Sequence, residues 1–277
     1  MIPTPYFLQA CLTLFVITII AATARAISIL PPRPVRRKRA RGTPTSMMMV
    51  LGSGGHTAEM LAIQRDLDPS KYTHRFWVIG EEDWMSRAKA VEFEEGLVEK
   101  VMKSQRERKE EEVSASKELG DGEAKFWYVG PDSYDIFLVP RARKIHQPLY
   151  TTPWTALLCL WACLKFLCHC KAAPCPKTTS GFTGPLPVYA FPDVILVNGP
   201  ATATILVYAT LILRFFNFRS AESQGGMRTI YIESWARVKT LSLSGKLLLR
   251  VVDRFVVQWP DLEGIGGRGE YHGVVVG

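Results

Sequence analysis

The sequence is short of the markers that place most chains. Its six cysteines form no secreted-domain framework: Cys159, Cys163, Cys168, Cys170 and Cys175 cluster on or just after one apolar stretch, and Cys11 stands near the N-terminus. That pattern excludes a small disulfide-stapled domain and reads as reduced thiols facing the cytosol. The run CHCKAAPC (168–175) matches no common zinc-finger spacing, so no metal is expected there. The spacing of acidic residues suggests no metal-binding D-x-D, and no internal repeat is visible. The excess of basic charge is confined mostly to one place. Arg33, Arg36, Arg37, Lys38, Arg39 and Arg41 carry most of the net charge of +8, and the rest of the chain is nearly balanced. A nucleic-acid-binding protein would spread a basic stripe over a folded face. Here the charge sits beside a hydrophobic segment, which points to a membrane surface.

That segment is the first positive feature. Residues 6–24, YFLQACLTLFVITIIAATA, carry no charge and nearly span a bilayer; the span extends through ISIL if Arg25 snorkels. A secretory signal would open on basic residues and end on a neutral cleavage site. In this chain the start has no charged side chain and the basic cluster follows the span, as in an uncleaved anchor. The positive-inside rule then places residues 33–277 in the cytosol. The divisions expected are a lumenal tip and transmembrane anchor (1–30), a basic cytosolic linker (31–45), one folded domain (46–268) and a C-terminal tail (269–277).

Within the cytosolic part, strand and helix patterns alternate. Apolar strands are predicted at 46–52, 74–80, 193–200, 228–234 and 254–259, with FWYV (126–129) and YDIFLVP (134–140) also strand-like. Helices are predicted over TAEMLAIQRDLD (57–68), over 83–101 with Asp83 as cap, and over 201–216. TALLCLWACLKFL (155–167) reads either as a core helix or as a helix at the membrane interface with Trp154 and Trp161 at headgroup level. The stretches 103–125 and 171–187 read as a solvated helix end or loop and as a Pro/Gly/Ser/Thr loop. Repeated β-α units with continuous apolar strands imply a Rossmann-like parallel sheet with helices on both faces, behind one N-terminal transmembrane helix.

The most informative local motif is MMMVLGSGGHTAEM (47–60). An apolar strand stops at Gly52, and a helix begins a few residues later. In a parallel α/β sheet, ligands bind at the carboxyl ends of the strands. Glycines let backbone N–H groups approach an anion, and the next helix directs its positive end to the same spot. The turn lacks the Gly-Lys-Ser/Thr of a Walker A loop. Gly52 and Gly54 fit a dinucleotide fingerprint, but its last glycine is replaced by Thr57. A tight turn with His56 merely capping the helix is a further alternative. The remaining reading is a diphosphate cradle with a histidine, a side chain suited to general-base work near neutral pH.

GSGGHTAEM resembles the G-x-G-G-H loop of inverting GT-B glycosyltransferases of the bacterial lipid-II-forming type. With DWMSRAKAVEFE, FLVPRARKIHQP, FPDVILVNGPATA, IYIESWARVKTLSLSGKLL, DRFVVQWPDL and YHGVVVG, it resembles more closely the membrane-anchor subunits of the dolichol-pathway UDP-N-acetylglucosaminyltransferase. Together these stretches span nearly all of 46–277. The sequence departs from that pattern in the 103–125 and 171–187 stretches, which look like insertions, and in Pro148, where the pattern leads one to expect serine. The resemblance implies half of a split GT-B fold: this chain binds the acceptor, GlcNAc-diphosphodolichol, and a soluble catalytic partner brings UDP-GlcNAc. It implies the endoplasmic reticulum membrane, continuous with the nuclear membrane, and it implies no cofactor. His56 becomes the candidate base, or else a group that orients the acceptor. Ser53, Gly54, Gly55, Thr57, Arg141, Arg143, Asn198, Gly199 and Glu233 become candidates for acceptor binding, with helix capping as the plainer role for Glu233 and surface exposure as that for the arginines. In the tail, Tyr271, His272, Gly273, Val274, Val275 and Val276 form a β-prone run, either an edge strand or a docking segment for the partner. A membrane-tethered NAD(P)-dependent reductase and a recruitment protein with a vestigial glycine loop are the competing readings.

Overall fold

A computed structural model describes residues 5–31, 45–114, 128–143, 147–170 and 190–274. Helix α1 runs over Pro5–Ile29 and is the one described helix long and apolar enough to cross a membrane. Strand β1 (Ser46–Leu51) lies in the middle of the sheet. After it come α2 (Gly55–Ile63), β2 (His74–Gly80), α3 (Trp84–Ser114), β3 (Tyr134–Val139) and α4 (Thr152–His169). The chain then continues through β4 (Val194–Asn198), α5 (Ala201–Phe215), β5 (Arg228–Ile232), α6 (Leu243–Leu248), β6 (Arg254–Val257) and β7 (Gly269–Tyr271).

All seven strands are parallel, in the order β3-β2-β1-β4-β5-β6-β7. This is the expected α/β architecture, with the order reversing between β1 and β4. The run MMMVL explains itself here. Met47, Met49 and Leu51 pack on one face with Met60 of α2, Trp77 and Ala90 of α3. Met48 and Val50 pack on the other face with Cys159 and Cys163 of α4, Leu206 of α5 and Leu248 of α6. A strand covered on both faces has no polar side to show, so alternation vanishes from its sequence.

Local differences from expectation have local causes. Helix α2 starts at Gly55 and ends by Gln64, five residues early; the chain turns instead, and Asp68 accepts from the backbone and hydroxyl of Ser70. Helix α3 begins as predicted, with Asp83 Oδ1 capping Ser86 N at 3.1 Å, and runs on to Ser114, so that 103–114 take the helical of their two expected states, a solvated helix end rather than a loop. Tyr128 and Val129 form a turn and a bend rather than a strand, and Phe126 and Trp127 lie outside the described residues, as do 115–125 and 171–189. Helix α6 is an addition to the predicted elements; its cap is Ser242, which accepts from Gly245 N. The first three residues of the tail form β7, paired in parallel with β6, so Tyr271 belongs to the sheet.

Arg25 joins α1 to the domain. Its guanidinium donates to Arg214 O at 2.7 Å and Phe215 O at 2.9 Å, the last carbonyls of α5. Arg214 answers by donating to Ile29 O at 3.0 Å. Arg214 is fully buried and also holds Glu222 at 2.7 Å and Asp253 at 3.1 Å. This joint sits at the ends of the helices, which is the amino edge of the sheet.

Candidate acceptor cleft at the switch point

The opposite, carboxyl edge carries the candidate site. Strands β1 and β4 are neighbours whose helices leave on opposite faces, and that divergence opens a crevice between their ends. Gly52 ends β1 so close to Pro200 that a Cβ would meet its ring at 2.9 Å. Gly54, the residue before α2, adopts φ +65°, a conformation that favours glycine. No side chain caps α2, so its first N–H groups face the crevice.

The imidazole of His56 lies over Gly199, where a Cβ would fall 2.1 Å from Cε1. Only glycine leaves room for the ring. Gly199 itself has φ +38°, and its carbonyl accepts from Ser244 of α6 at 2.7 Å. Asn198 is fully buried and donates to His56 O at 2.9 Å, fixing the turn from below. His56 Nδ1 is buried 3.5 Å from Glu59 Oε2, which leaves the other ring nitrogen for the solvent side.

Glu59 is a site residue that sequence reasoning misses. Its carboxylate accepts from Ser234 Oγ at 2.8 Å and Trp235 N at 3.2 Å, beyond the end of β5. It thus links α2 to the β5 loop beneath the histidine. Burial alone would raise its carboxyl, but the His56 ring at 3.5 Å and the hydrogen bond from Ser234 outweigh that and hold it below the usual carboxylate range. The available signal is its place one helical turn after His56.

On the α4 side of Gly52 a cavity of about 390 Å³ opens, lined among others by Ser53, Asp83, Arg141, Arg143 and Thr202. Arg141 is partly buried, and its nearest carboxylate is Asp83 at 3.7 Å. A Cβ on Gly80 would strike its side chain at 3.0 Å, so the end of β2 is shaped to let this arginine pass. Arg143 is exposed and donates to Gln147 O at 3.2 Å. Ser53, Gly54 and Gly55 are exposed at the rim. His56 lies beside this cavity rather than in its lining.

Two candidates turn away from the opening. Thr57 is buried, with its hydroxyl on Gly52 O and Ser86 Oγ at 2.7 Å. Glu233 is fully buried; its carboxylate accepts from Ser234 N at 3.1 Å, Ser242 N at 3.1 Å and the Tyr231 hydroxyl. It caps and braces the loop before α6, the plainer of its two expected roles. At the tail, His272 is exposed beside Glu270, Gly273 has φ +89°, Val274 is exposed, and Val275 and Val276 lie outside the described residues.

Comparison with known proteins leads the same way. Residues 47–275 match the family described as "Oligosaccharide biosynthesis protein Alg14 like". A UDP-N-acetylglucosamine transferase subunit of Aspergillus fumigatus is 39% identical over 227 residues, 72% of this chain and 88% of the relative. Its namesake from Schizosaccharomyces pombe is 32% identical over 94% of this chain and 98% of the relative, and that of Mus musculus is 28% identical over 94% and 99%. None of these matches supports a reductase. With a parallel sheet consistent with half of a GT-B fold behind an apolar helix, and a match across nearly the whole folded part, the chain belongs to the Alg14-like family of oligosaccharide biosynthesis proteins.

Proposed function

We propose that this chain is the membrane-bound, acceptor-presenting subunit of a two-chain transferase that adds the second GlcNAc to GlcNAc-diphosphodolichol at the cytosolic face of the endoplasmic reticulum, and at the nuclear membrane continuous with it. The observation that carries the reading is the imidazole of His56 over Gly199 at the switch point, next to a cavity with two arginines. The chain supplies one parallel sheet; the donor half, holding UDP-GlcNAc, belongs to a soluble partner.

In this reading the acceptor diphosphate sits against the N–H groups of Gly54 and Gly55 and the guanidinium of Arg141, where charge-assisted hydrogen bonds replace its water. Arg143 and Ser53 close the rim. The 4-hydroxyl of the acceptor GlcNAc attacks the anomeric carbon of the donor from the face opposite UDP. The new C1–O bond forms as the C1–O bond to the diphosphate breaks; UDP leaves with that electron pair, and the anomeric centre inverts. The solvent-side ring nitrogen of His56 takes the hydroxyl proton, and Glu59 stabilises the imidazolium that results. Protein groups of the donor half neutralise the departing UDP, so the reading asks for no cofactor or metal.

The C-terminal tail is the proposed contact with the partner. Because 269–271 form β7, the docking segment begins at His272.

Replacing His56 with Ala tests the reading. With partner co-expressed, transfer from UDP-GlcNAc to a lipid-diphosphate GlcNAc acceptor should fall roughly 10²–10⁴-fold, the usual general-base contribution, while the partner still co-purifies. Full activity in that variant would leave only a recruitment role.

A further inference from the structure

Helix α4 has two faces. Cys159, Cys163 and Leu167 are buried against the sheet, as a core helix requires. On the opposite side Trp154 is 68% exposed, Leu157 57%, Leu158 46% and Trp161 70%, and Tyr150 stands at 84% just before the helix. Positions 154, 157, 158 and 161 form one stripe, and it continues at Lys165 and His169, both on the outer side. On the other face of the sheet, α3 exposes Trp84 and Met85 at its start and Met102 farther on, but charged Arg87, Glu92, Glu95, Glu99 and Lys100 stand between them, so they form no continuous stripe. A contiguous apolar patch capped by basic residues marks an interaction surface.

The place of α4 in the fold identifies what covers it. Its first turn adjoins the cleft: Thr155 Oγ1 donates to Ala142 O at 2.8 Å, between Arg141 and Arg143. Its last turn adjoins the joint with α1: Arg219 donates to Cys168 O at 2.7 Å, just beyond the α5 carbonyls that hold Arg25. Helix α4 therefore runs about 27 Å from the cleft edge to the anchor edge of the domain. A domain that merely hung from α1 would hold its cleft a full strand length, about 17 Å for five residues, above the headgroups. A diphosphate on an embedded lipid could not reach it.

We infer that the outer face of α4 lies on the bilayer, with Trp154 and Trp161 in the interfacial layer and Lys165 and His169 among the headgroups, so that the domain reclines and its arginine cavity meets the lipid surface. The orientation comes from the order of residues in the stripe. The apolar half, nearest the cleft, dips deeper than the basic half, nearest the anchor. The inference rests on the proposed reading of the cleft as the acceptor site.

The test uses the full chain with its partner in phosphatidylcholine vesicles and two acceptors: GlcNAc-diphosphate on a long embedded polyprenyl chain, and the same head on a short water-soluble alkyl chain. A Trp154→Ser/Trp161→Ser variant should lose at least about tenfold in turnover on the embedded acceptor, keep its turnover on the soluble one, and keep its partner. Equal loss on both acceptors, no loss on the embedded one, or release of the partner in favour of a protein-docking face overturns the inference. A second measurement needs no activity. In vesicles of phosphatidylcholine brominated on its acyl chains, wild-type tryptophan fluorescence should be quenched, and Trp154→Phe and Trp161→Phe should each remove a share of that quenching. Unchanged quenching in both overturns the placement whatever the activity. Absence of transfer by the wild type on either acceptor refutes the proposed function instead, and the quenching still decides where α4 lies.

Discussion

The two edges of the sheet use the same residue types to opposite ends. At the amino edge, Arg214 is fully buried, with donors on Glu222, Asp253 and the carbonyl of Ile29. Asp253 in turn accepts from the backbone and hydroxyl of Thr229 and from Arg228. At the carboxyl edge, Arg141 reaches one carboxylate at 3.7 Å, the N-terminus of α2 has no side-chain cap, and Asn198 Oδ1 is buried without a hydrogen-bond partner among the described residues. An arginine whose Nε, Nη1 and Nη2 all donate to groups of the fold makes a rigid joint. An arginine with donors to spare beside open backbone N–H groups makes a place for an anion. What separates structural charge from functional charge in this molecule is how completely each group is paired, more than burial alone.

The comparison breaks most visibly at the joint. Arg214→Ala leaves Glu222 and Asp253 with Arg228 as their remaining cation and empties the buried centre of the cluster, and removal of one partner from a buried ion pair costs about 3–5 kcal/mol. Denaturant unfolding of the detergent-solubilised chain should show a loss of that size. The same measurement on Arg141→Ala should show a small change, since that side chain has few internal partners to strand. A stability loss as large at Arg141 would erase the distinction between the edges.

Legibility in the sequence obeys the same division. The sheet can be read because its strands are apolar throughout, as Met47–Leu51 and Phe76–Ile79 show, and the glycine turn because its spacing is local. Arg25 enters the sequence reading only as a residue that could snorkel; the fold adds that it is the donor that caps α5, a contact spanning some 190 positions that no window reveals. Glu233 and Thr57 become cleft candidates through the resemblance, and a matched position along the chain does not disclose which way a side chain turns. Glu59 escapes for the converse reason. An acidic residue in the first turns of a helix has an ordinary explanation in the helix dipole, and only the fold brings Ser234 and Trp235 against it. Helix α4 leaves two readings open, core or interface, and the structure accommodates both on opposite faces.

Glu59 also sharpens the contrast within the carboxyl edge. Glu59→Gln keeps the shape and an acceptor for Ser234 but removes the charge that faces His56 Nδ1. Turnover should fall roughly 10–100-fold, less than the full general-base contribution. The Michaelis constant for the acceptor and capture of the partner should stay near wild type if, as in the proposed reading, Glu59 acts through the imidazole. A rise in that constant with turnover unchanged would assign Glu59 to binding instead.

The smallest effect belongs to a third place, the open end of the sheet at β7. Arg254 donates to Glu270 across the last strand pair at 2.9 Å, and His272 stands 3.3 Å from the same carboxylate. The hydrogen bonds from Arg254 hold the Glu270 carboxyl below its usual value, and His272 adds to the effect. A carboxyl lowered by folding stabilises the fold at pH above its ordinary range, and that contribution disappears as pH falls through the lowered value. All three side chains are largely solvated, so screening keeps the effect slight. Acidification should therefore lower the protection of the amides of 269–271, as exchange relative to the intrinsic rate at each pH, before it touches β1 or β4, whose strands are paired on both sides. Glu270→Gln should abolish the pH dependence at β7 and leave the cleft unchanged. If β1 and β7 instead loosen together, the edge strand is cooperative with the core, and the boundary between folded domain and partner-docking tail must be moved beyond His272.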